Sequence, residues 1–592
     1  MTEQTSLARP TDTIPALNKP LIHVLTIIFV ILLIYSNTFN APFQFDDVSN
    51  IVDNPAIKDL HYYSDPSMVE GISKANGPIK AFLITRYIGY LTFALNYRLH
   101  GLDVMGYHLV NIFIHIFNAV LLYWLMILTF RTPFFSVAGR HLPFPDGSRN
   151  LITLFTVLFF AVHPIQTQAV TYIVQRFASL ATLFYLLSLV MYIKWKEIKE
   201  QQAKRYVSCT MLYAVSLLSA VLAMKTKEFA FTLPIVMAVY ELMFFDGKKM
   251  KRALYLSPFF LAILIIPLSL ADTGGHIAAL SGINDEAVNL SGERASISRG
   301  DYLFTQFRVI VTYIRLLFLP INQNIDYDYP IYNSFLDPAV VLSFLFLLSV
   351  IISGIYLYRL SKRPERRDRC WLRLISFGIF WFFITLSPES GVIPIIDVIF
   401  EHRVYLPSVG FFIALTAAIG AGLARWKDRG IYAKKAAVSV MLLVVIVLSG
   451  ATYARNTVWQ DNMSLWEDAA EKSPNKARPH HNLGLEYAKQ KRTDEAIKEF
   501  EISVMLKPDY VDAHYNLGIA YIDKGRVDDA INEYQTVIKL KPDYVKAHNN
   551  LGLVYIDKGR VDDAIKEFQT ILEISPDDYP LARKFLDFLL KK

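Results

Sequence analysis

Twelve apolar runs follow one another along this 592-residue chain, near 20–38, 108–130, 151–163, 169–194, 206–224, 228–246, 253–271, 302–320, 338–358, 371–388, 405–424 and 433–453. A helix needs about 20 apolar residues to cross a bilayer. Within hydrocarbon, only helices and closed barrels satisfy their own backbone hydrogen bonds. Runs of this length, joined by short polar connections, therefore specify a bundle of membrane helices; 151–163 alone is short for a span. A hydrophobic content of 53% and a mean hydropathy of +0.31 fit a polytopic membrane protein carrying a soluble part. The first run, "LIHVLTIIFVILLIYSNTF", exceeds a signal-peptide core and lacks a small-x-small cleavage site, so it reads as a retained anchor. A net charge of +7 over this length is too small for an electrostatic nucleic-acid footprint. Cys209 and Cys370, the two cysteines, form neither a disulfide framework nor a metal-ligand spacing.

The C-terminal part is different in kind. Pro474, Pro508, Pro542 and Pro576 lie 34 residues apart, as do Leu483-Gly484, Leu517-Gly518 and Leu551-Gly552, and Ala496, Ala530 and Ala564. "AHYNLGIAYIDKGRVDDAINEYQTVIKLKPDY" reads as a tetratricopeptide unit, two helices with small residues where they cross and a proline closing the second. Three such repeats are expected over 477–578, preceded by a linker helix over 456–476 and followed by a capping helix over 579–592. The "AHYN" and "AHNN" faces put forward His514, Asn516, His548 and Asn550 as contacts for a protein acceptor or partner.

Charge sets the expected orientation. "KWKEIKEQQAKR" (194–205), "DGKKMKR" (246–252), "RLSKRPERRDR" (359–369) and "RWKDRGIYAKK" (425–435) are short, basic and expected to be cytoplasmic. With residues 1–19 as a cytoplasmic tail, the alternation holds through the seventh run. If 302–320 then crossed fully, the seven Lys/Arg within 359–373 would lie outside. The run 302–320, which contains Arg308 and Arg315, is therefore expected to be re-entrant or interfacial, leaving about eleven full spans. On this count Asp46-Asp47, His163, "MKTKE" (224–228), "NIDYDY" (324–329), "EHR" (401–403) and the repeats share the extracytoplasmic face.

Charged groups near membrane depth cost about 2.5–3.5 kcal/mol each even on the mildest scales, so each is a functional candidate to be weighed against a structural role. Asp46 and Asp47 could be chain-exit polar residues, or a general base with an orienting carboxylate, since neighbouring carboxylates disfavour joint ionisation. His108, Asn111, His115 and Asn118 fall on one helix face, where packing hydrogen bonds explain them as well as a site does. Arg176, beyond the turn at His163, needs an anion, either a protein carboxylate or a substrate phosphate. Lys225 and Lys227 break the positive-inside tendency, which points to an anion they serve. Arg403 offers a planar fork for phosphate, with Glu401 as a candidate partner. Asp326 and Asp328 supply hard oxygen ligands, so a divalent metal is allowed but not required.

Six stretches in order, "FQFDD", "ALNYRLHGLDVMGYHLVNIFIHIFNA", "AVHPIQTQAVTYIVQR", "MKTKEFAFTLP", "YIRLLFLP…NIDYDYP" and "EHRVYLPSVGFF", followed by the repeats, resemble the transmembrane-and-tetratricopeptide O-mannosyltransferases and their bacterial relatives. The resemblance runs over nearly the whole chain. It implies an all-α protein: a GT-C-type glycosyltransferase domain over 20–455 and a tetratricopeptide α-solenoid. It also implies a polyprenyl-phosphate-linked sugar as donor, extracytoplasmic Ser/Thr hydroxyls as acceptors, and a bacterial inner-membrane location. Asp46 and Asp47 become the expected catalytic motif, with Arg403, Arg176, Lys227 and His402 at the donor phosphate. Glu401, His163, Glu228, Asp326 and Asp328 are expected in support. The alternatives are transfer to a lipid or surface glycan, or a non-enzymatic repeat-bearing scaffold, which would have no use for Asp46-Asp47 or Arg403.

Overall fold

The computed structural model describes residues 19–65, 83–137, 140–141, 146–200, 206–271, 297–366, 368–395, 397–425, 430–575 and 579–590. The expected N-terminal tail up to residue 18, parts of the basic loops (201–205, 367 and 426–429), and 576–578 and 591–592 fall outside the described residues. Nearly everything described is helical. The β pairing among the described residues is one two-residue antiparallel bridge, Ser136 opposite His141 and Val137 opposite Arg140.

The chain divides into two units. The first runs through Gln460, while Asn324–Tyr329 belongs with Asp461 onward to the second. In the first unit each of the twelve apolar runs falls on a helix or helix pair, from Pro20–Ile34 and Val104–Thr129 to Tyr405–Arg425 and Gly430–Thr457. Among the described residues, seven helices are long and apolar enough to cross a membrane, or eight if Arg149–Val162 and Pro164–Val170, bent by 51°, make one span. The larger count of eleven also uses shorter apolar helices such as Pro20–Ile34 and Cys209–Met224. Arg299–Phe318 has 20 residues but carries Asp301, Arg308 and Arg315, and it is not among the seven.

Two packing devices brace the first unit. Helices Arg369–Leu386 and Tyr405–Arg425 cross glycine to glycine, so closely that a Cβ on Gly410 would lie 2.5 Å from the Gly378 carbonyl oxygen. The Trp381 indole N–H donates to the Leu406 carbonyl at 2.9 Å beside that crossing. The second device is the polar stripe on Val104–Thr129. His115 contacts the Tyr405 hydroxyl at 2.6 Å and the Ala161 carbonyl at 3.0 Å, and Asn118 donates to the Ser179 carbonyl at 2.8 Å. His108 contacts the Ala41 carbonyl at 2.9 Å. These residues tie one helix to three neighbours and to the first loop, the packing role of polar groups in a bilayer.

In the second unit helices Ala477–Lys489 and Thr493–Leu506, Val511–Asp523 and Val527–Leu540, and Val545–Asp557 and Val561–Ile574 form three hairpins. Gly484, Gly518 and Gly552 let the helices of each pair touch, since a Cβ there would meet Phe500 at 2.7 Å, Tyr534 at 2.6 Å and Phe568 at 3.0 Å. Helix Asn462–Lys472 precedes the hairpins and Pro580–Leu590 comes after them.

Candidate functional site

The loop after the first helix is held by its own acidic pair. Phe45 takes φ +49°, a left-handed conformation uncommon for a bulky residue. The turn places Asp46 and Asp47 in different surroundings. Asp47 is buried, with Oδ2 accepting the Gln44 N–H at 3.0 Å and Oδ1 accepting the Val174 N–H at 2.6 Å. Asp46 is only part-buried, and its own N–H donates to the Tyr172 hydroxyl at 2.9 Å. Tyr172 stacks between Phe45 and Trp459, at centroid distances of 6.5 and 5.4 Å. Burial pushes the Asp47 carboxyl up to about 8, and the charge of Asp46 adds to this against the N–H groups of Gln44, Val174 and Ile173. The pair therefore splits into a buried residue and a part-buried one.

From Asp46 a chain of polar contacts leads to a group of cations. The Asn50 amide donates to the Asp46 carbonyl at 2.9 Å, and the Tyr90 hydroxyl donates to Asn50 Oδ1 at 2.7 Å. Tyr90 lies on helix Tyr87–His100, which directly follows Arg86. Arg86 grips Glu228 with a two-pronged bond at 3.0 and 3.2 Å. Next to Glu228, buried Lys227 pairs with Glu389 at 2.8 Å. Arg403, also buried, donates to the carbonyls of Asp397 at 2.6 Å and Val398 at 3.1 Å and interacts with Tyr302, Tyr313 and Glu389. Helix Arg299–Phe318 supports this segment, its Tyr302 hydroxyl donating to the Glu389 carbonyl at 3.0 Å and its Tyr313 hydroxyl to that of Phe400 at 2.9 Å. Glu401 accepts the Gln323 amide at 2.6 Å, and the His402 N–H donates to Gln168 Oε1 at 2.7 Å.

Other sequence candidates are placed differently. Arg176 is fully buried against the Phe93 ring and donates to Asn111 Oδ1 at 2.7 Å and the Tyr107 carbonyl at 3.1 Å. Its fork is engaged by neutral acceptors rather than by a carboxylate. His163 is buried at the bend, with Nδ1 accepting the Ile165 N–H at 3.2 Å. Lys225 donates to Ser269 at 2.6 Å.

Within the second unit Asp326 is buried and ion-paired with Arg478 and Lys476, both at 2.5 Å, and the Asp328 N–H donates to Ser473 at 2.8 Å. His514 and His548 are buried, each bridging a glutamate (Glu533 and Glu567, at 2.5 Å) and a proline carbonyl (Pro508 and Pro542, at 2.9 Å). Asn516 contacts His481 at 2.9 Å, and Asn550 donates to the Tyr515 hydroxyl at 3.2 Å. All four groove candidates are engaged in contacts within the repeat unit itself.

Sequence reading missed Arg86, Glu389, Tyr90, Gln168 and Tyr172. Arg86 opens "RYIGY" and Glu389 sits in "SPESG", yet neither carries a signal until folding brings its partner in. Among the described residues, no group of three or more His, Cys, Asp or Glu is placed to hold a metal ion.

Comparison with known proteins matches family models to the repeat array and full-length relatives to most of the chain. Residues 484–525 and 520–559 match the TPR repeat model, and 545–578 match the tetratricopeptide repeat model. A Caenorhabditis elegans protein O-mannosyl-transferase is 25% identical over 82% of this chain and 62% of its own length. Human protein O-mannosyl-transferase TMTC3 is 26% identical over 82% of this chain and 51% of its own. The chain thus matches less than two thirds of either relative. Among solved structures, the crystal structure of MamA protein is 25% identical over 22% of this chain and 75% of that one, with a TM-score of 0.20. This chain is a homologue of the TMTC proteins named protein O-mannosyl-transferase.

Proposed function

We propose that this chain is a membrane glycosyltransferase that moves a hexosyl group from a polyprenyl-phosphate donor to Ser/Thr hydroxyls of extracytoplasmic proteins. The observation that carries the reading is the run of contacts from Asp46 through Asn50 to Tyr90, on the helix that directly follows Arg86, whose guanidinium grips Glu228 beside Lys227. A carboxylate that takes a proton and cations that hold an anion are the two parts the transfer requires. The acceptor oxygen attacks the anomeric carbon, the bond from that carbon to the phosphate oxygen breaks, and the hydroxyl proton passes to Asp46. Arg403, Lys227 and Arg86 stabilise the departing phosphate monoester, with Arg403 giving two parallel donors. Asp47 and Tyr172 hold Asp46 in place.

The tetratricopeptide unit recruits the protein acceptor and does no chemistry. The short basic loops favour the arrangement in which the repeats and Asp46 are both extracytoplasmic, with Arg299–Phe318 not crossing. A reporter fused after Lys592 that works only in the cytoplasm would refute that arrangement.

The test of the function is transfer by the full chain, reconstituted in lipid, from polyprenyl-phosphate hexoses to a Ser/Thr-rich peptide read by mass spectrometry. Glycopeptide formation that disappears in Asp46→Asn is expected. Transfer from nucleotide sugars alone would overturn the reading.

A further inference from the structure

His402 lies among the cations of the site, yet its contacts suit a different task from holding phosphate. Its backbone N–H donates to the side-chain oxygen of Gln168 at 2.7 Å. A backbone amide is always a donor, so the Gln168 atom it meets must be Oε1, and the orientation of that amide is fixed. His402 Nδ1 lies 3.2 Å from the same Oε1. An amide oxygen only accepts, so the imidazole proton sits on Nδ1. The ring is stacked on Phe400 at 5.2 Å and 28°, which sets its plane. The side chain is buried next to the Arg403 cation, where a second positive charge would be costly, so the neutral ring is the form that fits, with a lone pair on Nε2. Such an atom repels a phosphate oxygen and accepts from a hydroxyl. Gln168 is buried, and its Nε2 finds no hydrogen-bond partner among the described residues. A buried donor left unpaired costs about 1–3 kcal/mol unless a ligand meets it.

We infer that His402 and Gln168 form a donor–acceptor pair that recognises ring hydroxyls of the transferred sugar, His402 Nε2 accepting from one hydroxyl and Gln168 Nε2 donating to a hydroxyl oxygen. The inference rests on the proposed function, because Arg403, the next residue, would hold the phosphate that carries the sugar. A sugar hydroxyl is favoured over the acceptor Ser/Thr hydroxyl, which belongs at Asp46. His402 thereby becomes a specificity-determining residue and Gln168 both its positioning residue and its complement.

The experiment uses the full chain in lipid with a polyprenyl-phosphate hexose and its mono-deoxy forms as donors. His402→Phe keeps the ring stack and removes both nitrogens. It should lower kcat/KM roughly 5- to 20-fold on the parent donor, the value of one or two hydrogen bonds. On the one mono-deoxy donor that lacks the recognised hydroxyl it should lower kcat/KM no further. An equal loss on every donor would overturn the inference, and so would an unchanged profile. An equal loss confined to acceptor KM would move His402 to the acceptor and overturn it as well.

Gln168→Glu, which keeps the oxygen facing the His402 amide and replaces the donor, should show the same non-additivity with a neighbouring deoxy position. If His402→Phe fails to fold, Gln168→Glu alone carries the test. Nitrogen-15 spectra of labelled histidine in the full chain read the tautomer without turnover. A protonated Nδ1 and bare Nε2 are expected, and the reverse overturns the inference. A wild type inactive on every polyprenyl-phosphate hexose would remove the proposed function and this inference with it. An active wild type without coupling removes only the inference.

Discussion

Asp47 holds the backbone of Val174 from the loop after the first helix, its Oδ1 accepting that N–H at 2.6 Å. Its other oxygen accepts from Gln44, so both are committed, while Asp46 is only part-buried. The two adjacent carboxyls should therefore fail in different ways. Asp46→Asn should lower turnover by about 10²–10⁴ with thermal unfolding and donor binding nearly unchanged, as for loss of a general base. Asp47→Asn must turn an NH₂ toward one of two N–H groups and should cost about 1–3 kcal/mol of stability. Parallel turnover and melting measurements on the two variants check this, and an exchange of the two phenotypes would refute it.

Arg403 should tolerate lysine poorly. Its Nη1 and Nη2 are braced by the carbonyls of Val398 and Asp397, which orient the guanidinium plane. An ammonium keeps the charge and loses that plane. Arg403→Lys should reduce kcat/KM on a polyprenyl-phosphate donor by roughly 10- to 100-fold, the value of a charge-assisted hydrogen bond. Titration with polyprenyl phosphate lacking the sugar should weaken in parallel. Normal affinity for that probe in Arg403→Ala would remove the phosphate assignment.

The crossing of Gly378 with Gly410 offers a test that touches no candidate site residue. A Cβ on Gly410 would meet the Gly378 carbonyl oxygen at 2.5 Å, and backbone cannot yield as a side chain can. Gly410→Ala should push the two helices apart at a cost of roughly 1–3 kcal/mol. Helix Tyr405–Arg425 continues directly from Glu401–Val404, so activity should fall with it. Gly422→Ala on the same helix meets nothing within 4 Å and should lower neither melting nor activity.

How much was legible depends on what each feature is made from. Helices such as Tyr206–Met224 and Pro338–Ser361 begin where their apolar runs begin, because a local run is enough to define them. Asp46, Lys227 and Arg403 could be singled out because charges at run ends are costly. Their partners could not. Arg86 is 142 residues from Glu228, and nothing local marks either as the other's counter-ion. The acidic pair looked symmetrical until the turn at Phe45 and the Val174 amide separated its members.

The repeat histidines are set by the period itself. His480, His514 and His548 recur with the 34-residue period, and a residue repeated with the period is one the repeat itself needs. Each makes the same glutamate and proline-carbonyl contacts.

Those contacts give the repeats a pH signature. Burial pulls the His514 and His548 imidazoles down. Hydrogen bonds to Glu533 and Glu567 and to the proline carbonyls outweigh this and carry both above their ordinary value. A raised folded-state value means their contribution is fully present below about 6.5, the unfolded value, and is lost as pH rises through the folded one. His481 has the opposite sign, since burial pushes it down to about 4. Its contribution is present above about 6.5 and is lost as pH falls toward 4. Urea unfolding of residues 461–592 should therefore give greatest stability near pH 6.5. His481→Asn should flatten only the acid limb, and His514→Asn with His548→Asn only the alkaline limb. A monotonic profile in the unaltered repeats would contradict the assignment.

Lys491 occupies the one repeat junction, of the three, where a side chain stands in place of glycine. Its φ is +60°, and the equivalent positions 34 and 68 residues on are Gly525 and Gly559, both at φ +72°. All three end the first helix of a repeat in the same way. The next N–H, of Arg492, Arg526 or Arg560, returns to a carbonyl of the last turn, Tyr487, Tyr521 or Tyr555, at 2.8–3.0 Å. A left-handed conformation costs an L-residue roughly 1–2 kcal/mol and glycine almost nothing. Glycine gives back part of that through the extra freedom of its unfolded chain. Lys491→Gly should therefore stabilise the repeat unit by about 0.5–1 kcal/mol, and Gly525→Lys should destabilise it by a similar amount. Lys491 makes no ion pair among the described residues, so no electrostatic loss offsets the gain. Thermal unfolding of the two single variants and of the double exchange checks the argument. A Lys491→Gly variant less stable than the parent would show that the strained turn is not what limits this repeat.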